Sequence, residues 1–339
     1  MKHKIGILGF GTVGQGIAEI LTEKRATLKQ RFGFEFEVTA IAGSRYGTAY
    51  NPNGLDLKTL LDDVHKGNQF SKDRVDWDNL KLIRESDTNI WCELTYTNLE
   101  TGGAAIDHVK TAIKAGKHVV SSNKGPAALF YSELSLLAKK HNVMFLNEGT
   151  VVAGTPVLNL ANGPLAGCEI TKIQGILNGT TNFMLTEMEK GVGFKDVLKI
   201  AQEKGYAEAD PTGDVEGYDA RAKVVILANI VLQSPVSMNN VSCKGITGIS
   251  LADINQAKKE GKRWKLIGSV EKTNTGITAS VAPQKISIDD PLAGISGTKN
   301  ALTFTTDLLG DVTIVGPGAG KIETGFAILN DLLRLHFEN

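Results

Sequence analysis

The sequence is poor in the features that mark special classes of protein. It has three cysteines, Cys92, Cys168 and Cys243, an odd number set far apart, which fits neither a disulfide framework nor paired metal ligands. Buried thiols in a reducing cytoplasm are the expectation. No apolar run approaches the ~18 residues of a membrane span; the nearest, Val224 to Leu232, contains Asn229. The opening MKHKIGILGFG breaks at glycines without a small-residue cleavage site, and so reads as a strand rather than a signal peptide. An excess of one charge is missing too. The 37 Lys and Arg balance 37 Asp and Glu, which removes any global pull toward nucleic acid or an anionic membrane and leaves small molecules as the default partners. What the chain does have is length, 339 residues, enough for two domains.

Ile5, Ile7 and Leu8 form a short apolar strand that runs into Gly9-Phe10-Gly11-Thr12-Val13-Gly14, after which Ile17, Ala18, Ile20 and Leu21 recur at helical spacing. Strand, G-x-G-x-x-G, helix is the context that makes a common glycine pattern a dinucleotide fingerprint. Gly9 allows the tight turn, Gly11 lets backbone approach the pyrophosphate, Gly14 lets helix pack on strand, and the helix N-terminus attracts the anion. A second strand, Phe36 to Ala42, ends in Gly43-Ser44-Arg45, with no acid for a ribose 2′-hydroxyl. Arg45 with Ser44 suits the 2′-phosphate of NADP instead.

A polar insertion, Tyr46 to Asn79, helical around Leu57 to His65, suggests no function. Beyond it, strands Leu80 to Ile83, Ile90 to Thr95, His118 to Ser121 and Val143 to Leu146 alternate with helices from about Gly102 to Ala115 and Ala127 to His141. That alternation predicts an α/β fold with a Rossmann-type doubly wound parallel sheet. Thr95 and the turn Ser121-Ser122-Asn123-Lys124 fall at carboxyl ends of strands, where open sheets hold ligands. His65, His108, His118 and His141 show no ligand spacing and are read as structural or surface. Glu148 to Pro156, one carboxylate among small residues, reads by spacing as a linker.

The second half changes pattern. Strand Thr171 to Ile176 leads into Asn178-Gly179-Thr180-Thr181, residues that can cap a following helix and offer backbone N–H groups to a carboxylate. Gly205 to Lys223 then carries five carboxylates. Pro211, Gly213 and Gly217 break any regular helix, which puts Glu208, Asp210, Asp214 and Glu216 on a loop. From Tyr218 the chain turns apolar and helical, with Asp219 and Lys223 four apart on one face. On such a helix little wet surface is left for an ordinary ion pair, so the stretch is a candidate site for a cationic or amino-bearing ligand. A helix from about Leu251 and strands Trp264 to Glu271, Gly276 to Pro283 and Ala301 to Thr306 complete an α+β substrate and dimerisation domain. Gly316-Pro317-Gly318-Ala319-Gly320 then opens a last helix, repeating the logic of the first glycine loop. The expected domains are 1–150 with 316–339 for the dinucleotide, and 151–315 for substrate binding and dimerisation.

In order along nearly the whole chain, GFGTVG, SSNKG, EGTVVAGTP, GILNGTTNFML, the Ala201 to Lys223 pattern and GPGAGKIETGFAILNDL resemble homoserine dehydrogenase. The resemblance is to the short members, without an aspartokinase or C-terminal regulatory domain, which speaks against feedback inhibition by threonine. It implies a cytoplasmic homodimer that reversibly reduces L-aspartate 4-semialdehyde to L-homoserine with NAD(P)H, NADP being preferred, in threonine, methionine and isoleucine synthesis. Lys223 would be the general acid, with Lys124 near cofactor and substrate. Glu208, Asp214, Asp219 and Thr180 would bind substrate. Gly9, Phe10, Gly11, Thr12, Val13, Gly14, Arg45, Thr95, Ser122, Lys124, Gly205 and Gly320 would face the dinucleotide. Glu148, Val151, Ala153 and Thr155 would form a monovalent cation site, for sodium. The turn AGKHVVSSNKGP is also similar to a motif of glucose–fructose oxidoreductases, but that family continues with an Asp and a His four apart where this chain has Asp219 and Lys223.

Overall fold

Strand β1 (Lys2–Leu8) is buried at five of its seven positions, His3 and the run Ile5 to Leu8, as a strand covered on both faces is. In a computed structural model, which describes residues 2–338, it lies inside a six-stranded sheet. The chain divides into two compact units, Met1–Gly154 with Gly320–Asn339, and Thr155–Ala319. These boundaries fall a few residues later than those expected from the sequence.

Unit 1 contains α1 (Thr12–Phe32), β2 (Glu35–Gly43), β3 (Gly47–Tyr50), α2 (Leu57–His65), α3 (Asn79–Glu85), β4 (Ile90–Glu93), α4 (Ala105–Lys114), β5 (His118–Ser121), α5 (Lys124–Leu129), α6 (Tyr131–Lys140) and β6 (Phe145–Leu146). The strand order is β3-β2-β1-β4-β5-β6, parallel throughout except for β3, which pairs antiparallel on the edge. Two hydrophobic clusters, one around Ile5, Ile17 and Val38 and one around Trp91, Val109 and Leu134, are the cores of this doubly wound domain.

Three expectations are corrected here. Leu80 to Ile83 belongs to α3 rather than to a strand, because the Asp78 side chain accepts from Lys81 N at 2.7 Å and caps a helix there. The polar insertion contributes the unexpected edge strand β3, whose four residues were hidden among turn formers. The helix expected from Ala127 to His141 is interrupted at Phe130, where φ is −132°.

Unit 2 contains α7 (Leu158–Asn162), β7 (Ile170–Ile176), α8 (Gly179–Met188), α9 (Phe194–Glu203), α10 (Thr212–Val215), α11 (Tyr218–Ile230), β8 (Ser242–Cys243), α12 (Leu251–Lys259), β9 (Lys262–Thr273), β10 (Gly276–Ser287), β11 (Lys299–Thr306) and β12 (Gly310–Pro317). Its sheet runs β12-β11-β7-β9-β10-β8 and is antiparallel except for the short β8–β10 pair. Helix α11 is buried on nearly every side. Gly268 of β9 lets it come close, since a Cβ there would meet Leu177 at 2.7 Å and Val224 at 2.9 Å.

The chain then returns to unit 1 as α13 (Lys321–Glu338). It crosses α1 with backbone almost in contact, Gly325 having no room for a side chain beside Gly16 and Ile17. Its His336 donates from Nε2 to Phe32 O at 2.9 Å, which leaves Nδ1 to accept from His3 Nε2 at 3.0 Å. Burial, with His336 adding to it, pushes His3 down to about 4 from 6.5. A group whose folded value is depressed in this way takes up its proton more readily when unfolded, so stability falls as pH drops from 6.5 toward 4. The urea midpoint is therefore expected to be lower at pH 5 than at pH 7, and the difference to shrink in His3→Gln.

Candidate active site

In unit 2 the site begins where β7 ends. Asn178 is the N-cap of α8, its Oδ1 accepting from Thr181 N at 2.9 Å. Its Nδ2 donates to Asp214 at 2.7 Å and to Asp219 at 3.1 Å, joining the acid loop to α11. Lys223, 6 % exposed on α11, donates to Leu177 O and to Asp219 Oδ2, both at 2.6 Å. An ammonium has three donors, so a third N–H remains beyond these two bonds. Thr180 donates to Tyr206 O at 2.7 Å and thereby ties α8 to the segment after α9.

Burial raises the Asp214 carboxyl above its ordinary value and the Asp219 charge adds to the rise, while the hydrogen bond from Asn178 and the Lys223 charge pull the other way. The expected loop between Pro211 and Gly217 contains the single-turn α10, which turns Asp214 toward Asn178. Glu208 and Asp210 are exposed. Glu208 takes part through its carbonyl, which accepts from Gln202 Nε2 at 3.0 Å. The structure thus gathers Asp214, Asp219, Thr180 and Lys223, with Glu208 standing outside that network among the described residues. Gly205, at φ +72° and exposed, also belongs to unit 2.

In unit 1, Gly9 has φ +94° and no room for a Cβ against the Leu94 carbonyl, and a Cβ on Gly14 would run into Gly9 O. Gly11, the N-cap of α1, faces open space. Thr12 is exposed and Val13 half-buried, and the first turn of α1 carries no acid to compete with an anion. The arrangement fits a dinucleotide pyrophosphate. The Phe10 ring is buried against Phe70, which leaves only its backbone for a ligand. Ser44 and Arg45 are exposed in the turn after β2, and Gly320 is exposed just before α13.

Thr95, Ser122 and Lys124 are half-buried at the carboxyl ends of β4 and β5. Glu148 is fully buried, and its N–H donates to Asp331 at 2.9 Å. Just beyond, Val152 and Ala153 have φ of 55° and 45°. Thr155 opens unit 2, where its hydroxyl donates to Pro317 O at 3.2 Å and fills the space over Gly316. Among the described residues no three His, Cys, Asp or Glu side chains gather as a metal cluster.

A family model for homoserine dehydrogenase matches residues 156–333, and one for its NAD binding domain matches residues 9–148. The chain belongs to the homoserine dehydrogenase family. It is 45% identical over 339 residues to an NAD(+)-dependent homoserine dehydrogenase of Pseudomonas canavaninivorans, covering 99% of this chain and 96% of that one. It is 43% identical to the homoserine dehydrogenase of Methanocaldococcus jannaschii, covering 97% of each. A hyperthermophilic archaeal homoserine dehydrogenase solved in complex with NADPH superposes with a TM-score of 0.86 at 32% identity, covering 100% of this chain and 99% of that one. As a member of the family the chain is an NAD(P)-dependent oxidoreductase acting on a CH–OH group.

Sequence reading found Asn178 as a cap but not as the bridge between Asp214 and Asp219, since nothing local says that α10 and α11 meet there. If capping were its whole role, Asn178→Asp would be harmless, because aspartate caps equally well. With a third carboxylate set beside Asp214 and Asp219, Asn178→Asp is instead expected to destabilise more than Asn178→Ala, whose lost cap costs about 1 kcal/mol. Urea denaturation of the two variants gives the order.

Proposed function

We propose that the chain reversibly reduces L-aspartate 4-semialdehyde to L-homoserine, preferring NADPH to NADH, in the synthesis of threonine, methionine and isoleucine. The observation that carries this reading is the Lys223 side chain, buried, aimed by Leu177 O and Asp219, and keeping one further N–H. A bound nicotinamide dinucleotide would supply the hydride to the aldehyde carbon. Lys223 supplies the balancing proton: its N–H bond breaks as an O–H bond forms on the carbonyl oxygen, and C=O becomes CH–OH. Asp219 holds Nζ in direction during that transfer. Asp214, Thr180 and the exposed Glu208 provide the negative and polar surface that an amino-acid ammonium requires. Lys124, with Thr95 and Ser122, serves the cofactor.

The preference for NADPH rests on Arg45, exposed beside Ser44 in a turn without an acid. A sodium ion held by Glu148 with carbonyls of Val151 and Ala153 belongs to the same reading. What supports it is a fully buried carboxylate next to a β-branched residue in the left-handed region, a conformation that persists only when its surroundings enforce it. A homodimer through unit 2 is supported by the exposed Leu308, Leu309 and Val315 on the β11–β12 edge, and a cytoplasmic location by three free cysteines.

Lys223→Ala is expected to lower kcat at least about a hundredfold while leaving the Kd for NADPH unchanged. Retained turnover would sink the assignment. Arg45→Ala is expected to raise KM for NADPH about tenfold, roughly one lost charged contact, and to leave KM for NADH alone. Equal effects on both cofactors would overturn the role given to Arg45 in that preference. Steady-state assays with each dinucleotide measure all of this.

A further inference from the structure

Glu93 is the last residue of β4 and the only charge in that strand, which otherwise reads Ile90-Trp91-Cys92. Its side chain is 1 % exposed, yet among the described residues it pairs with no lysine or arginine. Its charge is satisfied by hydrogen-bond donors from two loops and a helix. Oε1 accepts from Thr95 N at 3.0 Å, from the Thr95 hydroxyl and, at 3.5 Å, from Asn123 Nδ2. Oε2 faces His108 Nδ1 of α4 at 2.8 Å, and the far side of that ring, Nε2, meets Asn79 Nδ2 at 3.2 Å. The Glu93 carbonyl accepts from Ser121 Oγ at 3.1 Å and Ser122 N at 3.3 Å.

These bonds converge on the two segments at the carboxyl ends of β4 and β5. Asn123 closes them on each other, its Nδ2 donating to Thr95 O at 3.1 Å and Tyr96 O at 3.3 Å while its Oδ1 caps α5 through Gly125 N at 3.0 Å. Lys124 N donates to Thr97 Oγ1 at 3.4 Å. The backbone is fixed while the side chain between the anchors, Tyr96, stays 94 % exposed. Burying a carboxylate on this many donors is expensive unless every one is in place, so the network has one stable arrangement.

We infer that Glu93, oriented by His108, is a positioning residue for dinucleotide binding: it sets Thr95, Ser122 and Lys124 in place without touching the ligand. The inference rests on the proposed cofactor role of those three residues. Glutamine keeps the shape of Glu93 but turns one acceptor oxygen into a donor, which must then face either the Thr95 and Asn123 donors or a histidine that has to change tautomer.

Glu93→Gln is expected to weaken NADPH binding about tenfold, one charged hydrogen bond's worth, while kcat at saturating NADPH and KM for aspartate semialdehyde stay within about twofold. Kd would be measured by protein-fluorescence quenching on the folded fraction established by circular dichroism. A purely structural role would lower the melting temperature and leave the Kd of the folded protein unchanged, and that result overturns the inference. Thr95→Val and Lys124→Met are measured alongside. If they weaken NADPH binding and Glu93→Gln does not, the positioning role is wrong. If neither of them matters, the cofactor reading of these loops fails first. His108→Gln, which keeps a donor toward Glu93, is expected to bind NADPH better than His108→Leu.

Discussion

An ammonium on a helix that is buried on nearly every side can be held only by acceptors that the fold brings to it. Lys223 meets that requirement with one backbone carbonyl and one carboxylate at 2.6 Å each, and much of unit 2 follows from supplying them. Leu177 must end β7 with its carbonyl toward α11, which Gly268 permits by letting Leu177 and Val224 close on the sheet. Asp219 must not be drawn elsewhere, and Asn178 holds it by a second bond while capping α8. Removing any one partner would leave a desolvated charge, the costliest kind of buried defect.

Unit 1 meets the opposite demand. Where unit 2 concentrates carboxylates around a lysine, the start of α1 carries no acid in its first turn and leaves its backbone N–H groups as the polar surface there. Gly9 and Gly14 allow strand, turn and helix to approach so closely that α1 points its free N–H groups into the space beside Gly11. Glu93, at the end of the neighbouring strand, is buried on partners from the loop after β4, from α4 and from the N-cap of α5.

The features legible in the sequence were those carried by local pattern. The parallel sheet followed from alternation, the tight glycine turn between β1 and α1 from a glycine motif in its strand–helix context, and the Asp219–Lys223 pair from helical spacing. Leu80 to Ile83 misled because two leucines flanking a lysine look like a strand, while the deciding group, Asp78, lay just outside the window. The Glu93 network was illegible for a different reason. Its members lie at positions 79, 93, 95, 108 and 123, on three elements and two loops, and a single glutamate after an apolar run gives no hint of what will surround it. Strained backbone at Val152 and Ala153 likewise leaves no mark in composition, since both are ordinary small or apolar residues.

Helix α13 gives the molecule an order of assembly. It supplies Ile328, Leu329, Leu332 and Leu335 to the main core of unit 1, yet it follows Thr155–Ala319 in the chain. During synthesis all of unit 2, one continuous segment, is made before α13, and until then unit 1 lacks a wall of its core. The glycine turn between β1 and α1 therefore gains its last neighbouring wall only when α13 is made. The core of unit 1 thus cannot close until all of unit 2 has been synthesised.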